Sequence, residues 1–216
     1  MLTLGLETSE ALGGVALLRD GVLLGEAELD EPLRHAESLL PAVERVLQAC
    51  REDADRLELV GVNRGPGSFT GLRIGLATAK GLCQGLRVPL VGVDGTSAYR
   101  ERLPAGRRAC VVVPCRLDLV YVRWFAPRRR PSVVGVVSKG ALLERIRADR
   151  QPIWVVGSAA EAMRADLEAL AGVTVAEASA NRPSAEWVAR LAEETFRRDE
   201  LYTLEPAYAD AAVRGA

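Results

Sequence analysis

A glycine-rich segment between an apolar run and a helix-like run carries the strongest chemical signal in this chain. Gly65 and Gly67 lie two residues apart, which is typical of a tight loop whose backbone N–H groups face an anion at a helix N-terminus. A second spacing, of four residues, would place small residues on one face of a helix and leave that face nearly bare. Its members are Gly67, Gly71, Gly75 and Ala79. The segment therefore predicts either an anion site or a helix that a second helix approaches closely.

The anion interpretation lacks the residues that would neutralise a nucleotide triphosphate. The segment has neither the lysine and hydroxyl of a Walker loop nor the spacing GxGxxG. Glu7, Thr8 and Ser9 follow the first apolar run and are polar enough to bind a metal or a phosphate, but residues 111–115 of a later apolar run offer no matching carboxylate. Such side chains also stabilise turns through local hydrogen bonds. We expect a turn role for Glu7, Thr8 and Ser9.

Metal and nucleophile chemistry have little support in the residue types present. His35 is the one histidine, and the four cysteines form no CxxC pair and lie in apolar stretches, so we predict buried, reduced thiols and no metal site. His35, Glu37 and Ser38 are close in sequence and leave a hydrolase open. Ser68, however, does not lie in a GxSxG elbow. We predict no catalytic, cofactor-binding or metal-binding residue.

The composition is that of an ordinary globular protein with no global charge bias. The chain has 216 residues, 49% of them hydrophobic, with a formal net charge of −1 and a pI of about 6.0. A full core can form, and no overall positive field would draw the chain onto nucleic acid or an acidic membrane. With no signal peptide and no bilayer-spanning run, we expect a cytoplasmic protein without membrane contact. The Arg128–Arg130 run is predicted to be a solvated hairpin tip.

The first half of the chain predicts the element order βββαβαβα. Three short strands, with the Asp20-Gly21 pair between the second and third, predict a meander, and apolar residues at helical spacing follow from Ala36 to Cys50. Pro41 fits a helix that begins near Ser38, because a proline is tolerated in the first turn. The remaining predicted elements are a strand at 57–62, a helix at 69–86, a strand at 89–93 and a short helix from Thr96.

The second half repeats a strand-rich start followed by alternating helices and strands. The polar segment from Arg102 to Arg108 is the predicted boundary, which gives lobes at residues 1–104 and 105–216, with the last helix packing back on the first lobe. The predicted strands are 109–113, 119–125, 133–137, 153–156 and 173–175, and the predicted helices are 141–147, 159–170 and 184–197. Ser184 is the expected N-cap of the last helix.

Three motifs resemble the dimerisation subunit (TsaB/YeaZ family) of the bacterial complex that makes threonylcarbamoyladenosine in tRNA. They are residues Leu4–Ser9, His35–Pro41 and Gly65–Gly75. The resemblance extends over about residues 1–100 and is looser afterwards. Pro114 stands where the family usually has an aspartate, and the family's arginine is not evident after Pro206 and Tyr208.

This resemblance implies a two-lobed α/β fold of the actin-like ATPase type, also called ASKHA or ribonuclease H-like, with a smaller, similar second lobe. It implies a non-catalytic scaffold that acts with a catalytic actin-like paralogue and an ATPase subunit and contacts tRNA through the complex. In the absence of its partner, an exposed apolar interface would let two copies of the chain form a homodimer. ATP and metal are expected in the partners, because the paralogue's metal is held by paired histidines on the first helix and here the residue four places after His35 is Leu39.

The partner interface is predicted on the first two helices, where bare glycine positions stand beside apolar walls. Its predicted residues are Leu39, Leu40, Val43, Leu47, Gly71, Leu72, Gly75, Ala79 and Leu82. One stripe of each helix must also cover the chain's own sheet, and the sequence does not apportion the faces. Two alternatives to the scaffold are a free-standing glycoprotease-like hydrolase and an ATP-binding small-molecule kinase.

Overall fold

The computed structural model describes residues 1–29 and 34–208 and divides into two compact units. The first unit comprises Met1–Ala98 together with Pro183–Ala207, and the second comprises Tyr99–Arg182 with Tyr208. The chain thus leaves the first unit near the predicted boundary and re-enters it before the last helix. The positions after Tyr208, where the family usually has an arginine, lie outside the described residues.

The first unit has the element order βββαβαβα, as predicted, and a last helix that returns to it. Its sheet has the strand order β3-β2-β1-β4-β5. The elements are β1 (Leu2–Glu7), β2 (Gly14–Arg19), β3 (Val22–Glu28), α1 (His35–Cys50), a 3-10 turn (Ala54–Arg56), β4 (Leu59–Asn63), α2 (Phe69–Leu86), β5 (Leu90–Val93), α3 (Gly95–Arg100, which crosses into the second unit) and, near the C-terminus, α7 (Ala185–Thr195).

The meander and the parallel strands follow from local sequence signals. Asp20 and Gly21 both have positive φ angles, 51° and 75°, which is the conformation that a two-residue hairpin turn requires. β1 pairs antiparallel with β2 and parallel with β4. The central strand β1 therefore connects the meander to the βαβ part of the sheet.

Helix α1 begins earlier than predicted. It starts at His35 rather than near Ser38, so Pro41 lies inside the helix. The prediction was wrong because two contacts hold the first turn. The buried His35 ring contacts the distant Glu10 carbonyl, and the Ser38 hydroxyl donates to the Arg34 carbonyl one turn earlier at 2.9 Å. These contacts stabilise a turn that precedes the proline.

The first sheet is covered on both faces. α1 and α2 pack with Leu2, Leu4 and Leu6 of β1 in one core, whereas α7 covers the other face. Gly5 and Gly61, which are register partners in β1 and β4, let α7 approach closely, because a Cβ on Gly5 would lie 2.3 Å from the Ala185 carbonyl oxygen. The Ser184 hydroxyl caps α7 by accepting from the Trp187 N–H, as predicted.

The second unit repeats the strand order of the first. Its sheet has the order β10-β9-β6-β7-β8, which reads β8-β7-β6-β9-β10 from the other edge. In this direction β6 to β10 take the places of β1 to β5. Its elements are β6 (Ala109–Arg116), β7 (Leu119–Phe125), β8 (Gly135–Ser138), α4 (Lys139–Asp149), β9 (Ile153–Val156), α5 (Ser158–Ala162), α6 (Arg164–Glu168) and β10 (Val173–Val175). The predicted similarity of the two lobes is thereby confirmed.

Two details of the second unit differ from the sequence expectation. The helix expected at 159–170 is two short helices, because Met163 leaves the helical conformation with φ −108° and ψ 10°. β6 extends beyond Val113 through Pro114, which pairs with Val120 before the register shifts ahead of Arg116. The proline is exposed and lies near the end of the strand, where a missing N–H is tolerated.

A segment after α7 completes the exposed edge of the first sheet. The Asp199 and Glu200 carboxylates accept from the N–H groups of Leu90 and Gly92, and the Glu200 N–H donates to the Leu90 carbonyl. Leu204 is buried against Gly92. This segment pairs an edge strand that would otherwise present open hydrogen-bonding groups.

The cysteines are all free, with Cys83 and Cys110 buried and Cys50 and Cys115 partly so. Burial raises the pKa of the Cys83 thiol to about 12. In residues 1–29 and 34–208, no helix combines the length and hydropathy needed to cross a bilayer.

Candidate partner interface

The backbone of the glycine loop is already engaged by this chain. The Gly65 N–H donates to Asn63 Oδ1 at 2.8 Å, the Ser68 N–H donates to the Ser9 carbonyl at 2.6 Å, and the Gly71 N–H donates to the Ser68 hydroxyl at 3.2 Å. These are donors that a phosphate cradle would leave free for its anion. Three N–H groups of the loop are therefore bonded within the chain rather than directed at an anion.

The bare face of α2 is covered by the loop after β1. A Cβ on Gly67 would lie 2.2 Å from the Ser9 carbonyl oxygen, and one on Gly71 would lie 2.1 Å from the Thr8 carbonyl oxygen. A Cβ on Gly75 would lie 2.2 Å from the Thr8 hydroxyl oxygen. The four-residue spacing thus serves close packing within the chain. The partner helix expected on this face stays a prediction, but the β1–β2 loop already lies close to these glycines, and the sequence does not show that contact.

Glu7 anchors a buried polar cluster at the ends of β1 and β4. Its carboxylate accepts from the Ser9 N–H at 2.7 Å, from the Ser9 hydroxyl at 2.6 Å and from Asn63 Nδ2 at 2.5 Å. Thr8 belongs to the same turn and donates its hydroxyl to the Gly71 carbonyl at 2.8 Å. These bonds fit the turn role expected for Glu7, Thr8 and Ser9, and they leave both carboxylate oxygens occupied by neutral donors.

His35 is a buried residue that links α1 to the loop after β1. Its Nε2 lies 2.7 Å from the Glu10 carbonyl oxygen, and its ring packs beside Gly13 and Gly71. Leu39, which occupies the metal-pair position, is buried in the core. Within the described parts of the chain, no group of three or more histidine, cysteine, aspartate or glutamate side chains is placed to hold a metal ion.

The three residues of the hydrolase alternative do not form a proton relay. His35 faces a backbone carbonyl, Glu37 is exposed and paired with Arg34, and the Ser38 hydroxyl donates to the backbone of Arg34. A nucleophile and its base must lie within hydrogen-bonding distance, directly or through one water. The geometry gives this alternative no support.

Most of the predicted interface residues face inward. The buried ones are Leu39, Val43, Leu47, Gly71, Leu72, Gly75 and Ala79. Leu40 is 48% exposed, and Leu82 is partly exposed. The interface itself stays a prediction, but only Leu40 and Leu82 of the predicted set reach the surface of the chain.

A different set of residues forms the outward side of the two helices. Phe69 is 53% exposed, and the Arg73 guanidinium lies 3.7 Å above its ring. Ala77 and Gly81 continue this side of α2, and a Cβ on Gly81 would meet no atom within 4 Å. With Leu40 on α1, these residues form what we call the outer face: Leu40, Phe69, Ala77 and Gly81. The α2 part of the outer face was not identified from the sequence. Its residues Phe69, Ala77 and Gly81 are eight and four residues apart, so they also follow a four-residue spacing.

Asn63 is a residue of the buried polar cluster around Glu7 that was not identified from the sequence. Its side-chain amide connects the Glu7 carboxylate, the Ser9 hydroxyl and the Gly65 N–H. The segment Asn63-Arg64-Gly65 has the residue types of an ordinary turn, so its asparagine does not stand out in the sequence. Its role depends on β4 lying beside β1, so only the sheet order identifies it.

Comparison with known proteins relates the chain to two kinds of tRNA-modification protein. The family model of TsaD, tRNA N6-adenosine threonylcarbamoyltransferase, matches residues 32–123. The Escherichia coli K12 protein named tRNA threonylcarbamoyladenosine biosynthesis protein TsaB is 28% identical, and the alignment covers 96% of this chain and 92% of that protein. The Bacillus subtilis protein of the same name is 31% identical over 69% of this chain and 61% of its own length.

Solved structures give the same fold. A Pseudomonas aeruginosa protein described as similar to the peptidase YeaZ has a TM-score of 0.76 at 23% identity, with coverage of 96% of this chain and 98% of that one. An Arthrobacter inorganic polyphosphate/ATP-glucomannokinase has a TM-score of 0.54 at 13% identity, with coverage of 89% and 97%. The two units with their shared strand order have the two-lobed α/β fold of the actin-like ATPase type.

The sequence matches are more specific than the fold. The chain is a homologue of the TsaB/YeaZ proteins, and the resemblance carried by its three motifs is confirmed.

Proposed function

We propose that this chain is a non-catalytic scaffold subunit required for the transfer of a threonylcarbamoyl group to the adenosine beside the tRNA anticodon. Homology to TsaB proteins supports a role in threonylcarbamoyladenosine synthesis. The single observation that carries the scaffold role is the internal use of the glycine loop and of Glu7, a residue that is 2% exposed and whose two carboxylate oxygens accept from Ser9 and Asn63. A carboxylate or N–H group that is hydrogen-bonded within its own loop is not available to bind a substrate.

In this proposal the catalytic partner is a TsaD-like paralogue, and an ATPase subunit completes the complex. The TsaD family model matches α1, α2 and the sheet strands between and after them, which supports a shared architecture for the two subunits. The metal and the ATP are assigned to the partners, since His35 and Leu39 do not make a ligand pair.

The outer face is the proposed contact for the paralogue. Leu40 and Phe69 expose apolar surface, and Ala77 and Gly81 allow a partner helix to approach α2 closely. Burying such surface contributes about 25 cal/mol per Å² before the costs of association are subtracted. Without the paralogue, the same face would join two copies of this chain as a homodimer.

The experiment that tests the scaffold role measures binding of the purified paralogue by calorimetry. Leu40→Glu combined with Phe69→Glu should weaken the heterodimer by about 100-fold or more, because both substitutions place charge in an apolar contact. Val133→Glu is the matched control, since Val133 is 87% exposed and lies in the second unit. Gly75→Leu and Ala79→Arg do not serve here, because both positions are buried and the changes would disturb the fold itself.

Two outcomes would contradict the proposal. One is unchanged affinity for the paralogue in the Leu40→Glu, Phe69→Glu variant while it retains native circular dichroism. The other is saturable binding of magnesium-ATP, with turnover, by the isolated wild-type chain in the same calorimeter. The second outcome would favour the kinase alternative.

A further inference from the structure

A groove at one end of the second sheet brings separate stretches of the chain together. It has a volume of about 230 Å³ and is lined by Arg107, Arg108, Pro127, Ile153 and Trp154, among others. β6 begins at Ala109, which pairs with Phe125 at the end of β7 and with Trp154 in β9. The sheet register therefore fixes two arginines and an indole around one opening.

Arginines line this groove and follow it along the chain. Pro127 lines the groove and leads directly into the exposed Arg128–Arg130 run. Arg107 and the three arginines of this run form no ion pair with any carboxylate in the described part of the chain. Arg108 is paired with Asp149 through Nη2, and its buried Nη1 has no described hydrogen-bond partner. In a chain of net charge −1, this is a local concentration of unneutralised charge.

The residue types favour a nucleic-acid strand over other anions. A guanidinium matches a phosphate with two parallel hydrogen bonds, and a half-buried indole offers a flat face on which a base can stack. The lining residues include no carboxylate that would repel phosphate. An acidic peptide could neutralise the arginines but would leave the indole without a partner.

We propose that this groove and the Arg128–Arg130 turn bind the phosphodiester backbone of an unpaired RNA segment. The choice of RNA rests on the proposed function, in which the complex holds a tRNA, whereas the anion site itself rests on the groove. The arginines supply affinity without sequence preference, and Trp154 favours bases that are not already stacked in a duplex.

The test measures binding of a fluorescein-labelled tRNA transcript to the full chain across about 50 to 200 mM salt. Four unpaired arginines predict a slope of log K against log salt near −3, from about −0.7 per contacted phosphate. Changing Arg128, Arg129 and Arg130 together to glutamine should bring the slope to about −1 and weaken binding at low salt by at least about tenfold. Glutamine is chosen because Arg128 has a positive φ of 57° that it tolerates no worse than arginine.

A matched control removes the same charge elsewhere. Arg51, Arg56 and Arg87 are exposed residues of the first unit, and two of them also have positive φ angles. Changing these three to glutamine should leave the slope and affinity unchanged. An equal loss in the control, or no binding by the wild type, overturns the proposal, as does displacement of the tRNA by polyglutamate at equal charge concentration. The paralogue-binding measurement does not involve RNA, so the scaffold role would stand if only the groove failed.

Discussion

A glycine after β4 in the first unit and a glycine after β9 in the second unit are held by the same kind of hydrogen bond. Gly65 and Gly157 each have a φ of +118°, and each donates its N–H to an asparagine side chain: Gly65 to Asn63 at 2.8 Å, and Gly157 to Asn181 at 3.0 Å. Each asparagine then donates its Nδ2 to a glutamate. The repeated strand order thus extends to a repeated hydrogen-bond network, although the asparagines come from different elements.

The two networks differ in how the carboxylate is neutralised. Glu7 is almost fully buried and receives only neutral donors, from Ser9 and Asn63. Glu161 is 42% exposed and paired with Arg164, which also donates to a backbone carbonyl. Hydrogen bonds from Arg164 and Asn181 lower the pKa of Glu161 to about 2. The first network therefore depends on its amide for stability, whereas the second has a cation and solvent to replace a lost bond.

Replacing the asparagine of each network is the most sensitive test of this difference in stability. Asn63→Ala would leave the Gly65 N–H unsatisfied and take a donor from a buried carboxylate, so the free energy of unfolding should fall by roughly 3–4 kcal/mol. Asn181→Ala should cost roughly 1–2 kcal/mol, because Glu161 keeps Arg164. Urea denaturation followed by circular dichroism gives both values.

Thr3→Val is the control for these two variants. The buried Thr3 hydroxyl has no described partner, so replacing it with a methyl should change stability by less than about 1 kcal/mol and could increase it. Equal losses in Asn63→Ala and Asn181→Ala would show that the cation and solvent do not compensate.

The first network is also supported by close packing on α2, which a second pair of variants measures. Gly71→Ala would place a Cβ 2.1 Å from the Thr8 carbonyl oxygen and should cost roughly 2–3 kcal/mol. Gly81→Ala lies on the outer face of the same helix with open space around it, and should gain roughly 0.5–1 kcal/mol from helix propensity. Thermal unfolding measures the stability change of each variant relative to the wild type. A stabilised Gly71→Ala variant would refute the close contact with Thr8.

These glycines also show where the sequence stops being informative. The element order, the Asp20-Gly21 turn and the Ser184 cap were predictable, because each depends on neighbouring residues. Helix α2, however, carries small residues at four-residue spacing on two faces, one through Gly71 and Gly75 and one through Ala77 and Gly81. Periodicity alone does not distinguish the face that packs on the chain from the face that is exposed.

Contacts between distant parts of the sequence account for the features that local patterns do not show. α7 returns to the first sheet after the second unit is complete, and its fit against Gly5 and Gly61 has no local signal. The polar networks have the same character, since Asn63 meets Glu7 across 56 residues and Asn181 meets Glu161 across 20. The sequence supplies the amide and the carboxylate, and only the folded chain brings them together.

The smallest expected effect concerns the pH dependence of the second network. Because the folded pKa of Glu161 is about 2 and its ordinary value is 4.5, its ionised form stabilises the fold fully above about pH 4.5, and this contribution is lost as the pH falls towards 2. Solvent screening of a side chain that is 42% exposed limits the contribution to roughly 0.5–1 kcal/mol. Glu161→Gln should therefore lower stability at neutral pH by this amount and converge with the wild type at low pH. Urea midpoints of both proteins between about pH 3 and 6 measure the difference, and parallel curves over that range would show that Arg164 and Asn181 do not favour the ionised carboxylate.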